Sequence, residues 1–123
     1  MRPRVVLADD HAPMTVALTR LLSLECDIVG HARTAAELLT EATTHGPDVV
    51  VVDLYLADEN GIEACRQLKS ANPDVKIVMV TAEDDSHIRS AALNAGASDF
   101  VPKSMAHVQL VPAILRLCSR SAD

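Results

Sequence analysis

Strand-like and helical patterns alternate five times along this chain, and that alternation limits its fold more than any other feature. Apolar runs of strand length lie at Arg4–Ala8, Asp27–Ala32, Asp48–Asp53, Lys76–Thr81 and Asp99–Pro102. Val49-Val50-Val51-Val52 is β-branched throughout, with no polar alternation. Such a run suits a parallel strand buried on both faces. Between the runs, apolar residues recur with the helical period. Met14, Ala17, Leu18, Leu21 and Leu22 stand at i, i+3, i+4, i+7 and i+8, one face of a helix, and Pro13 suits its first position. Ala35, Leu38, Leu39 and Ala42 repeat the pattern behind a capping box of Thr34 and Glu37, and His45-Gly46-Pro47 stops it. Ile62, Cys65 and Leu68 mark a third helix ended by Asn72-Pro73. Ile88, Ala91, Ala92 and Ala95 mark a fourth ended by Gly96, and a fifth runs from about Met105 to Ser119. This order predicts an α/β fold of (βα)5 type, doubly wound, with helices on both faces of a five-stranded parallel sheet.

The fifth helix is the least regular. Pro112 lies inside it, so it either starts late or kinks there. Val108, Val111, Leu115 and Cys118 fall on one face, Leu110, Ile114 and Leu117 on another. One of these faces packs on the sheet; the other is either over-buried or a partner surface.

Composition narrows the function classes. A chain of 123 residues that is 49% apolar fits one folded domain. Residues 1–118 carry the pattern, and 119–123 read as a tail or the start of a linker. One Phe, one Tyr and no Trp imply an aliphatic core without a stacking platform for single-stranded nucleic acid. A net charge of −6 argues against direct binding to a phosphate backbone. Cys26, Cys65 and Cys118 have neither zinc nor disulfide spacing, which suggests reduced thiols in a cytoplasmic protein. No signal peptide or stretch of membrane-spanning length is present.

Three of the runs end in charge. Val5-Val6-Leu7-Ala8 leads to Asp9-Asp10, the valine run to Asp53, and Phe100-Val101-Pro102 to Lys103. Sheets of this class commonly take the order 2-1-3-4-5, with the ligand at the carboxyl edge by the switch point. The acids of strands 1 and 3 then lie on neighbours about 4.8 Å apart. Each carboxylate pair at ~4 Å costs about 4 kcal/mol at an effective dielectric of 20, so either some are protonated or a cation sits among them. Oxygen donors of this kind suit Mg²⁺. Thr81 ends strand 4. Lys103 ends strand 5, two spacings or roughly 9.6 Å from strand 3, within reach of a lysine stem. A carboxylate beside a metal, a hydroxyl and an ammonium fits an aspartate that accepts a phosphoryl group.

At these residues the chain resembles the response-regulator receiver domains of bacterial two-component signalling, which share the flavodoxin-like sheet order. The ordered features are Asp9-Asp10, Asp53, Gly61 eight residues on, Thr81-Ala82, Ala95-Gly96-Ala97 and Lys103. The resemblance implies Asp53 as phosphoacceptor. Mg²⁺ would be held by Asp10 directly, by Asp9 through water, by Asp53 and by the backbone carbonyl of Tyr55. It makes Thr81 the switch hydroxyl and Phe100 the switch aromatic, turning inward as Thr81 moves. It makes Tyr55 and Glu83, at the pocket mouth, tuners of phosphoryl lifetime. It also implies a sensor histidine kinase as donor, and at most slow self-phosphorylation and self-dephosphorylation in place of enzyme turnover. A homodimer through helix 5, or through the face of helix 4, strand 5 and helix 5, belongs to the same expectation.

Ala8-Asp9-Asp10-His11 and Lys103-Ser104 are most similar to receivers joined to LuxR/FixJ-type helix-turn-helix domains. DNA contact is then expected only through such an output domain, absent here; a stand-alone phosphorelay protein is the alternative. Two departures stand out. Ala57 occupies a position where many receivers have Pro, which predicts a looser loop. Pro102 precedes Lys103 and Ser104 follows it, which makes a cis peptide after Lys103 costly. His11 reads as a helix-start or surface residue. A haloacid-dehalogenase-type phosphohydrolase would want an acid where Tyr55 stands. A flavin or nucleotide binder would want a phosphate loop where Asp9-Asp10 stands.

Overall fold

The apolar runs form strands where the pattern places them: β1 (Arg4–Ala8), β2 (Asp27–Ala32), β3 (Val49–Asp53), β4 (Lys76–Thr81) and β5 (Asp99–Pro102). They make one parallel sheet in the order β2-β1-β3-β4-β5. This computed structural model describes residues 2–83 and 85–122, with side chains to residue 118. The helices are α1 (Ala12–Leu22), α2 (Ala35–His45), α3 (Gly61–Ala71), α4 (Ser86–Asn94) and α5 (Ala106–Ala122). β3 starts one residue later than expected. Asp48 serves instead as a clasp to β1: its carboxylate accepts the Arg4 N–H at 2.9 Å and its own N–H donates to the Arg4 carbonyl at 2.9 Å.

Because both faces of the sheet are covered, alternate residues of each central strand enter different cores. Val5, Leu7, Val49, Val51, Val78 and Val80 face α1 and α5, where they meet Leu18, Leu22, Leu110 and Ile114. Val6, Ala8, Val50, Val52, Ile77 and Met79 face α2, α3 and α4, against Leu38, Cys65, Leu68 and Ala92. An unbroken aliphatic strand therefore needs no polar alternation.

Helix ends follow local chemistry. The Thr34 hydroxyl accepts the Glu37 N–H at 3.0 Å, while the Glu37 carboxylate takes the N–H of Arg33, one residue before the cap, at 2.8 Å. Gly46 closes α2 at φ 53°, a left-handed position that Gly adopts at little cost. Pro13 sits in the first turn of α1, one residue past its start.

Helix 5 departs from expectation. A 3-10 turn at Lys103–Met105 leads into α5, which begins before Pro112 and runs through it, so the late start is excluded. The helix also continues through Ala122, past the expected tail boundary at Ser119, and Asp123 lies outside the described residues. Leu110, Ala113, Ile114 and Leu117 form the sheet-facing side; Val111 and Cys118 are partly buried, and Val108 is 51% exposed. No described helix is long and apolar enough to cross a membrane.

Candidate functional site

Register places the charged strand ends together. Ala8 pairs with Val52, Asp53 with Val80, and Thr81 with Pro102, so Asp9, Asp53, Thr81 and Lys103 emerge side by side from four adjacent strands. Oxygens of Asp9, Asp10 and Asp53 lie within 4.8 Å of one another, a group able to hold a metal ion. The Lys103 Nζ reaches back across β4 to within 3.2 Å of Asp53 Oδ1 and 3.7 Å of Asp9 Oδ2.

One ammonium lies within 4 Å of two of these carboxylates, Asp9 and Asp53. Asp53 is 6% exposed. Burial, then the charge of Asp9, pushes its carboxyl above the usual range, against the downward pull of Lys103 and of a backbone hydrogen bond from Tyr55. Asp9 is committed on one side only: its Oδ1 accepts the His11 N–H at 2.8 Å. Its Oδ2 is buried without a hydrogen-bond partner, alone in that respect among the described side chains, since Lys103 at 3.7 Å is too far for a hydrogen bond. A buried carboxylate oxygen in that state is costly unless something electropositive completes it. The donor set is all oxygen and short of positive charge, so it fits a hard cation.

Thr81 is fully buried beside this edge, and its hydroxyl oxygen accepts the Glu83 N–H at 3.2 Å. Its own proton remains available to donate. Tyr55 and Glu83 meet across the mouth, where the Tyr55 phenol donates to the Glu83 carboxylate. Phe100 is buried on the α2–α3–α4 side of the sheet, with the Arg89 guanidinium 4.6 Å from its ring centre. His11 is exposed at the start of α1, as the sequence suggests. The Lys103–Ser104 peptide is trans, since no described peptide bond is cis.

The loop after Asp53 is pinned rather than loose. The Ala57 N–H donates to the Arg33 carbonyl at 3.0 Å, a bond that proline could not make. Asp58 accepts the N–H of Ala35 at 2.7 Å and of Ala36 at 3.4 Å. Asn60 caps α3 through the Glu63 N–H at 2.9 Å, and the Gly61 N–H donates to the Leu54 carbonyl at 2.5 Å. Sequence reasoning missed Asp58 and Arg89. Their partners lie 23 and 11 residues away, and neither sits in a local pattern that points to them.

Comparison with known proteins places this geometry. The family model for the response regulator receiver domain matches residues 5–115. The DNA-binding transcriptional activator DevR/DosR of Mycobacterium tuberculosis is 37% identical over 113 residues, covering 90% of this chain and 52% of that protein. The response regulator MprA of Mycobacterium sp. (strain KMS) is 34% identical over 122 residues, covering 99% of this chain and 53% of its own length. The chain thus spans about half the length of these curated relatives. Among solved structures, a LuxR-family two-component response regulator from Aurantimonas sp. SI85-9A1 superposes with a TM-score of 0.91 at 32% identity, over 97% of this chain and 87% of that one. The signal receiver domain of the putative response regulator NarL from Mycobacterium tuberculosis gives 0.89 at 29%, over 97% of both chains.

Proposed function

The chain belongs to the response regulator receiver domain family of two-component signalling, and from that premise we propose that Asp53 accepts a phosphoryl group from the phosphohistidine of a sensor histidine kinase. The observation that carries this reading is Lys103, 3.2 Å from Asp53 and 3.7 Å from Asp9, beside a buried Asp9 oxygen with no hydrogen-bond partner. An Asp53 carboxylate oxygen forms the new bond to phosphorus. The phosphorus–nitrogen bond of the donor breaks, and its electron pair returns to the imidazole.

Asp9, Asp10 and Asp53, with the backbone carbonyl of Tyr55, are the groups that would hold Mg²⁺. Bound there, the ion offsets the charge between the carboxylate and the incoming phosphoryl group. Lys103 and the free proton of Thr81 then bind phosphoryl oxygens. Phe100, buried beneath the Arg89 guanidinium, is the switch aromatic, its ring turning further inward as Thr81 moves. The effect is a shift between two forms, bounded by the contacts each makes. Tyr55 and Glu83 tune phosphoryl lifetime from the mouth. Turnover as an enzyme is limited to slow self-phosphorylation and self-dephosphorylation.

The wider setting follows the relatives. DevR/DosR is named a DNA-binding transcriptional activator, and we assign this receiver, residues 1–118, to the control of a helix-turn-helix output in the cytoplasm, with residues 119–123 leading toward it. Dimerisation through α5, or through the α4–β5–α5 face, is the means of control proposed. Labelling with acetyl phosphate and Mg²⁺ tests the assignment. The wild-type chain takes up one phosphoryl group, and Asp53→Asn takes up none. Full labelling of that variant at another residue overturns it.

A further inference from the structure

The loop from Leu54 to Asn60 follows directly on Asp53, and its far side is moored to a different element. Asp58 reaches the first turn of α2, accepting the N–H of Ala35 at 2.7 Å and of Ala36 at 3.4 Å. The Ala57 N–H donates to the Arg33 carbonyl at 3.0 Å, so two adjacent loop residues grip the same turn. The N-terminus of α2 carries unpaired N–H groups and the positive end of its dipole, which favour a carboxylate. Thr34 satisfies only the Glu37 N–H, leaving those of Ala35 and Ala36 to Asp58. Within the loop, the Leu56 N–H donates to the Glu59 carbonyl at 3.1 Å and Tyr55 bridges to Asn60. These contacts close Tyr55 and Asp58 into one short loop.

We propose that Asp58 is a positioning residue for the metal and phosphoryl site, holding the Tyr55 carbonyl at the acid cluster by anchoring the loop to α2. The proposal rests on the metal site of the preceding section. It assigns to Asp58 and the Ala57 N–H the stiffening that a proline at position 57 would otherwise give. It also makes α2 a responder. Coupling between sites is reciprocal, so a cation that orders the loop must tighten the hold on the Ala35 N–H.

Mg²⁺ titration of the folded chain, followed by calorimetry and amide exchange, tests this. Asp58→Ala is expected to bind Mg²⁺ about tenfold more weakly than wild type, the low end of the scale for losing a supporting contact behind a metal ligand. Asp58→Asn keeps an acceptor oxygen and recovers most of the affinity. Thr34→Ala removes the other cap of α2 without touching the loop, so it lowers the melting temperature and leaves Mg²⁺ affinity unchanged. In the wild-type chain, saturating Mg²⁺ slows exchange of the Ala35 amide more than that of Glu37, a readout that holds even if Asp58→Ala does not fold. Wild-type affinity in Asp58→Ala, an equal loss in Thr34→Ala, or an Ala35 amide indifferent to Mg²⁺ overturns the role of Asp58 while leaving the metal site standing. A wild-type chain that binds no Mg²⁺ overturns both.

Discussion

Asp53 is held between one like charge and one opposite charge under cover of the protein, and the unfavourable side prevails. Its folded carboxyl titrates above its unfolded one, so the native state holds the proton more tightly. Stability then falls as pH rises from the ordinary carboxyl range through the raised folded value, and the deficit persists at neutral pH. Asp53→Asn removes that deficit. In metal-free buffer at pH 7 the variant is expected to be more stable than wild type, and the gain vanishes on acidification. Urea denaturation at both pH values measures it; a variant less stable at pH 7 contradicts the charge balance described. Gly61 is constrained by space. A Cβ there would strike the Asp53 carbonyl and lie 3.1 Å from Leu54 Cα. Backbone atoms cannot step aside cheaply, so Gly61→Ala should cost about 2–3 kcal/mol and disturb the loop that begins at Asp53.

The elements differ in how well local pattern described them. α2 has its cap, its period and its stop in sequence, and each forms as written. α5 has two apolar faces, and periodicity alone could not rank them. The sheet settles it by taking Leu110 and Ile114, both fully buried, while Val108 stays half exposed. Leu110→Ala should therefore cost about 2–5 kcal/mol as a core truncation. Val108→Ala should stay within about 0.5 kcal/mol. Paired denaturation curves separate the two, and equal losses would mean that Val108 is covered in solution. The loop after Asp53 reversed its expectation. Without proline it could have been slack, yet Arg33 and the α2 N-terminus, distant in sequence, supply its anchors.

Across the whole molecule, four strand ends converge to put three carboxylates and one lysine in a single cluster. That arrangement stores repulsion which a divalent cation held there would relieve, and such binding would link ligand to fold. Raising Mg²⁺ to a hundredfold over its dissociation constant should add about 2.7 kcal/mol of stability. The resulting rise of several degrees in melting temperature should be lost in Asp9→Asn and Asp10→Asn. Melting curves in Mg²⁺ and in EDTA check this; a shift that survives both substitutions would place the ion elsewhere.

The five strand runs, the helix stops and the ordered set Asp9-Asp10, Asp53, Thr81, Lys103 were legible in sequence because each is a local statement. A strand buried on both faces must be continuously apolar, and a residue that follows such a run must emerge at the sheet edge. Local chemistry could not say which face of α5 meets the sheet, that Arg89 lies over the Phe100 ring, or that Asp58 closes the first turn of α2. Those depend on partners brought from elsewhere in the chain, and only packing decides which distant group arrives at hydrogen-bonding distance.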